Sequence, residues 1–351
     1  MLQSIVDSIL KWEITQILLV QKVFEPVESY LELISHVTTA RFMHTYFFPF
    51  FLIMGTGVKQ YVNIMTAAII SHISVILLKW MLAGTRPYWF VNESDLFTNL
   101  TRPNIRQTYL TCETTAGNPS GHVMFTASIL FFVIRTIFYQ SPWFRRYLNK
   151  PFKYFLWNVY VGVLGFISIS RMFFACHFFH QCVLGSCFGI IISQFLQHRK
   201  VNRLLMEMHR GMALLFGIAV LSLCITVYYA HYILAHDPQW AVKKAFNWCK
   251  DPYYIKPETT PIYSLAREFG LMFGLILCSP QSKRFNIQMD VKWSLPSVFI
   301  ITCLNKYILS QIPRWNGAII FYSATFATNL AFIVVLLNIV PLIARKRKIK
   351  V

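Results

Sequence analysis

The chain has 351 residues, of which 56% are hydrophobic and 13% charged, with a mean hydropathy of +0.48. Soluble domains carry about 25% charged residues, so this composition excludes an ordinary soluble core and points to a membrane protein. The formal net charge of +19 does not indicate a nucleic-acid partner, because the cations fall between apolar spans instead of along one polar face.

Residues 1–21 carry Asp7 and Glu13 and lack a small-residue cleavage site, so they read as a retained N-terminal helix, not a signal peptide. Crossing a bilayer takes about 20 apolar residues. Spans are predicted at 37–56 (holding Arg41 and His44), 61–82, 121–140, 154–172, 179–197, 211–233, 261–280 (holding Arg267 and Glu268), 293–312 (holding Lys306) and 318–343. Between them lie two long loops, 83–120 and 234–260, and the chain ends in the basic tail 344–351. The predicted fold is an all-α integral membrane protein of about nine transmembrane helices, one polytopic domain over 1–351, with no internal repeat. The eight cysteines form no CxxC pair and signal no zinc site. Cys112 and Cys249 both fall in the long loops, and paired and unpaired states are both open.

An odd number of spans puts the termini on opposite sides. The short connections "FRRYLNKPFK", "HRKVNRLLMEMHR" and "SKRFNIQMDVK" and the tail are dense in Lys and Arg. The positive-inside rule makes them cytoplasmic, so the N-terminus and both long loops are expected on the lumenal side. Two glycosylation sequons, at Asn92 and Asn99, fall in the first long loop and agree.

Polar chemistry collects at that same face. Lys79 ends an apolar run, and Arg86 follows seven residues on, with Gly84 and Pro87 marking the end of the helix. The loop "CETTAGNPSGH" closes on Ser120, Gly121 and His122 at the start of the next span. Ser120 is a good N-cap, Gly121 admits close approach, and the first helix amides form an anion site. Arg171 ends a later span, and His177 precedes the one after it. Three cations, helix-terminal amides and two imidazoles suit phosphoryl transfer, with arginine forks matching phosphate oxygens. A His177/His180 metal pair lacks a third ligand and is the weaker reading. The aromatics Tyr88, Trp89 and Phe90 read as an interfacial belt, with sugar stacking as a sharper reading.

Lys79–Pro87, Pro119–His122 and Ser170–His177 match the motifs KxxxxxxRP, PSGH and SRxxxxxH, in order and with the spacing kept. In these motifs the chain resembles the type 2 phosphatidic-acid-phosphatase and haloperoxidase superfamily. "LKWMLAGTRPYWF", "CETTAGNPSGH", "SRMFFACHFFHQ" and the later "KAFNWCKDPYYIKPETTP" further resemble the glucose-6-phosphatase catalytic subunit family. The chain departs from that pattern at Thr115 and Ala116, where Gly-Pro is usual, and at Phe179, where Pro is usual.

The resemblance implies hydrolysis of glucose 6-phosphate to glucose and phosphate, at the lumenal face of the endoplasmic reticulum membrane, serving gluconeogenesis and glycogen-derived glucose release. It implies His177 as nucleophile through a phosphohistidine, and His122 as general acid and base. Lys79, Arg86, Ser120, Gly121 and Arg171 would bind phosphate, and Gln181 would support the nucleophile where many superfamily members have Asp. No metal or cofactor is implied, and functional coupling to a glucose-6-phosphate transporter is expected. The alternatives are a phosphatase for another sugar or lipid-linked phosphate, a weakly active paralogue, or an anion transporter whose pathway would use Arg41, Arg267 and Glu268.

Overall fold

The computed structural model describes residues 2–53, 57–98, 100–139, 149–234, 237–278, 290–313 and 317–344. Among these the ordered elements are helical, and none is a strand. Seven helical segments are long and apolar enough to cross a membrane: Val58–Glu93, Gly121–Tyr139, Lys150–Phe173, Phe179–Gln197, Arg210–Ile233, Pro261–Cys278 and Ala318–Ile343. Of the two other expected spans, one is the 21-residue helix Val291–Gln311. The other, 37–56, is broken into Ala40–Phe42, a π-helical turn Met43–Phe47 and Pro49–Ile53, with its last residues outside the described set. The predicted sequon Asn99 and nearly all of the basic tail also lie outside the described residues.

Many large apolar side chains face outward, among them Tyr154, Val161, Leu215, Ile320 and Leu342. The helix Arg210–Ile233 buries only Gly217 and Cys224. An apolar exterior around buried polar groups is the inverse of a soluble domain and marks a chain solvated by lipid.

The chain forms two compact units. The first comprises 1–39, 74–192 and 227–261. In it the helix Leu2–Val23 packs Ile14 and Ile17 with Phe90, Val91, Phe97, Met172 and Phe178. The helix Glu28–Val37 packs Leu31 with Phe173, Phe174 and Cys176. Gly185 and Gly189, one helical turn apart, let Phe179–Gln197 lie close on Gly121–Val133. A Cβ at Gly189 would sit 2.4 Å from the Met124 carbonyl oxygen and 2.8 Å from the Ala127 Cβ. Small residues at this spacing permit tight contact between membrane helices. Tyr88, Trp89 and Phe90 are buried and do not form an interfacial belt; Tyr88 and Trp89 pack on Ala241 and Ala245 of the helix Trp240–Trp248. Cys112 and Cys249 are joined by a disulfide, which ties the two long loops together across 137 residues.

The second unit comprises 40–73, 193–226 and 262–351. Gly270 and Gly274 lie against the Phe326 and Leu330 carbonyls of Ala318–Ile343. Arg267 and Glu268 are neighbours in sequence and partners in space, with Nε donating to Oε1 at 2.9 Å. Glu268, wholly buried, also has His72 Nδ1 at 3.1 Å and His44 Nε2 at 3.6 Å. A buried cation beside a buried anion offsets part of the desolvation cost of each, which accounts for two ionisable residues inside an apolar span.

The substitution Gly189→Ala tests the close approach. It should lower stability by about 1–3 kcal/mol through overpacking, read as an earlier thermal transition in detergent, while an exposed change such as Leu215→Ala leaves the transition in place.

Candidate active site

The helix Gly57–Leu82 carries Lys79 in its last turn and then stops. Ala83 takes a left-handed backbone (φ 40°), the next helix begins at Pro87, and Arg86 is left in extended backbone between the two. This break turns the backbone carbonyls of Gly84 and Thr85 toward the loop 112–120. The Gly117 amide donates to Gly84 O at 2.7 Å, and Gln181 Nε2 donates to Thr85 O at 2.7 Å. The Ser120 amide donates to Gln181 O at 3.0 Å. A Cβ at Gly117 would meet Thr85 O at 2.4 Å, so only glycine allows this approach. Two main-chain bonds and the Gln181 side chain thus tie the break at 83–86, the loop 117–120 and Gln181 together.

The cations follow from that frame. Lys79, Arg86 and Arg171 are buried. Lys79 Nζ donates to Ala116 O (2.6 Å) and Thr115 Oγ1 (3.1 Å). Arg86 donates through Nε to Thr115 O (2.7 Å), through Nη1 to Cys176 O (2.9 Å), and through Nη2 to Glu113 Oε2 (2.9 Å) and Thr115 Oγ1 (3.0 Å). Arg171 donates through Nη2 to Glu113 Oε1 and through Nη1 to Ser35 Oγ at 3.1 Å. Ser35 is hydrogen-bonded in turn to Ser170 Oγ, which donates to Leu31 O. The helix Glu28–Val37 therefore fixes the guanidinium of Arg171.

His177 is wholly buried. Its Nδ1 lies 2.9 Å from Gly117 O and 3.1 Å from Gln181 Oε1. Gln181 is oriented by its Nε2 bond to Thr85 O, so both neighbours of Nδ1 are acceptors and the ring proton sits on Nδ1. Nε2 then carries a lone pair, and it has no hydrogen-bond partner among the described residues. Burial, and after it the charges of Arg86 and Lys79, hold the His177 pKa well below 6.5, so the ring is neutral at physiological pH. Cys176 next door is no competing nucleophile: burial pushes its thiol up to about 11. His122, in the first turn of Gly121–Val133, places Nδ1 3.8 Å from Glu113 Oε1.

Lys79, Arg86, Asn92, Ser120, Gly121, His122, Arg171, His177 and Gln181 all lie in the first unit. Ser120 stands at the N-cap position, but its hydroxyl caps no backbone amide. His180 does not form a metal pair with His177, because its Nδ1 and backbone amide engage Glu13 at 2.6 Å and 2.9 Å. Asn92, the described sequon, donates through Nδ2 to Tyr88 O.

Glu113 is the functional residue that the motifs do not mark. Burial alone would raise its pKa, but the guanidiniums of Arg171 and Arg86 hold it well below 4.5. One carboxylate lies against Lys79, Arg86 and Arg171, so the two guanidiniums alone leave the cluster net positive, which suits a phosphate monoester anion. The signal was charge accounting: three cations buried together require a counter-charge, and Glu113 is the acid in the loop that meets them.

Comparison with known proteins agrees with this geometry. Residues 60–205 match the PAP2 superfamily model. The chain is 26% identical over 336 residues to human "Glucose-6-phosphatase 2", covering 92% of each chain. It is 28% identical over 329 residues to the dog "Glucose-6-phosphatase catalytic subunit 1", covering 91% of this chain and 90% of the relative. The cow protein of that name is 29% identical over 334 residues, again 91% and 90%. No solved structure gives a significant match.

A neutral His177 and an ionised Glu113 both make the unfolded chain the better proton acceptor as pH falls. The contributions of these two groups should be full above pH 6.5; that of His177 declines as pH drops through 6.5, and that of Glu113 declines below 4.5. Thermal unfolding in detergent across pH checks this: His177→Gln should lessen the first decline and Glu113→Gln the second, and an unchanged profile in both variants would contradict the assignment.

Proposed function

We propose that this chain, with its PAP2-superfamily domain, is a membrane phosphatase that hydrolyses glucose 6-phosphate through a phosphohistidine on His177. The observation that carries the reading is the state of that imidazole. Nδ1 is held by Gly117 O and Gln181 Oε1, which leaves Nε2 as a free, buried lone pair in a net positive site. Phosphate-monoester hydrolysis is among the slowest uncatalysed reactions, and its barrier lies in charge on the phosphoryl group and in the leaving alkoxide. The site meets both demands.

In the first step His177 Nε2 attacks phosphorus, an N–P bond forms, the P–O bond to the sugar breaks, and His122 gives its proton to the departing oxygen. In the second, His122 takes a proton from water, whose oxygen attacks phosphorus as the N–P bond breaks. Lys79, Arg86, Arg171 and the first amides of the helix Gly121–Val133 stabilise the equatorial oxygens throughout. Gln181 holds the ring by a neutral hydrogen bond, so it fixes the tautomer without adding a charge that would favour the imidazolium.

Relatives named as glucose-6-phosphatases over about nine-tenths of the chain support the choice of sugar phosphate. The sequons, the Cys112–Cys249 disulfide and the Lys/Arg-rich short loops support a lumenal site in the endoplasmic reticulum, with a cytoplasmic C-terminus. A lumenal site requires that substrate be delivered across the membrane, which is the basis for coupling to a glucose-6-phosphate transporter.

A substrate panel on permeabilised microsomes tests the specificity. Glucose 6-phosphate should be turned over in preference to dolichyl and phosphatidyl phosphates; the reverse order would reassign the chain to lipid-linked substrates. His177→Ala should abolish turnover, and Arg86→Ala should lower kcat/KM by about 100-fold or more. Retained turnover in His177→Ala would remove the nucleophile assignment.

A further inference from the structure

The side-chain donors expected to bind phosphate are engaged by the chain itself, and all of their hydrogen-bond partners but two come from one short segment. Glu113 bridges Arg86 and Arg171 with its two oxygens. Thr115 and Ala116 accept from Arg86 and Lys79. The partners supplied from elsewhere are Cys176 O for Arg86 and Ser35 Oγ for Arg171. Arg171 Nε has no partner among the described residues, as is also true of His177 Nε2. A carboxylate presents two oxygens to a guanidinium fork as a phosphate does, so the two compete for the same hydrogens.

We infer that Glu113 is an internal, displaceable competitor for the phosphate group: substrate phosphate takes over its places on Arg86 and Arg171, and its return helps to expel inorganic phosphate. The inference rests on the phosphatase reading above and adds to it the residue that sets phosphate affinity. Thr115 strengthens the closed arrangement, since its hydroxyl accepts from both Lys79 and Arg86, contacts that a glycine there cannot make. Glu113 is well placed to move. It lies in the loop between helices, its side chain is 17% exposed, and its backbone is bounded by the disulfide at Cys112 and by the Thr114–Thr259 hydroxyl pair at 2.9 Å. The backbone is thus anchored on either side while the carboxylate can leave. Because the carboxylate is held ionised, it acts as an anion over the whole working pH range.

A site blocked in this way binds its ligand more weakly by the fraction of time that it is open. Removing the charge should expose that factor. In Glu113→Gln, the dissociation constants of inorganic phosphate and vanadate, measured on the whole protein in detergent, should fall about tenfold. KM for substrate should fall in step, and kcat should not rise, because product phosphate leaves more slowly. Glu113→Asp should bring phosphate affinity back toward the unmodified protein. If phosphate binds no better and KM rises, Glu113 aligns the arginines instead of competing, and the inference is overturned. If the unmodified protein binds neither phosphate nor vanadate, the phosphatase reading falls as well. A measurement on the unmodified protein serves where the variant fails to fold: carbodiimide-coupled amine labelling of Glu113, mapped by peptide mass. Vanadate should increase labelling by freeing the carboxylate, and protection or no change would count against displacement.

Discussion

Three cations are buried at one end of the first unit, and most of its local architecture can be traced to the need to hold them there. Isolated ammonium and guanidinium groups in an apolar setting are costly unless each donor finds an acceptor. The loop 113–116 supplies most of those acceptors, as two carbonyls, one hydroxyl and one carboxylate. The loop can do so because a disulfide, the Gly84–Gly117 main-chain bond and the Thr114–Thr259 pair fix its path. The net positive charge that remains suits the site to an anionic ligand.

The same stitching decides the state of the proposed nucleophile. Gly117 contributes its amide to Gly84 and its carbonyl to His177, and Gln181 contributes both ends of its side chain and its carbonyl. One glycine and one glutamine therefore couple the cation-bearing break at 83–86 to the tautomer of an imidazole. A change at either position would disturb binding and nucleophilicity together, which is the mark of a preorganised site.

Much of this was legible in the sequence, for reasons that differ by residue. Lys79, Arg86, His122, Arg171 and His177 stood out because charge is rare in an apolar chain, and the spacing between them survives as three short motifs. The helical membrane class followed from run length. Glu113 was harder to see, since an acid in a polar loop is ordinary until the cations around it are known to be buried. The role of Thr115 was visible only as a departure from the family pattern. The aromatics at 88–90 misled because an interfacial belt and a packed interior share the same composition; the difference is the helix Trp240–Trp248 that covers Tyr88 and Trp89, and sequence separation hides it. Arg267 and Glu268 pair despite adjacency because side-chain length overcomes the angle between neighbouring positions on a helix.

The central claim is that a phosphoryl group passes through the free nitrogen of one oriented imidazole. Quenching the protein during turnover and determining the phosphohistidine isomer, by peptide mapping and phosphorus resonance, addresses it directly. The account predicts phosphate on Nε2 of His177. Phosphate on Nδ1, on His122, or on no histidine at all would contradict it.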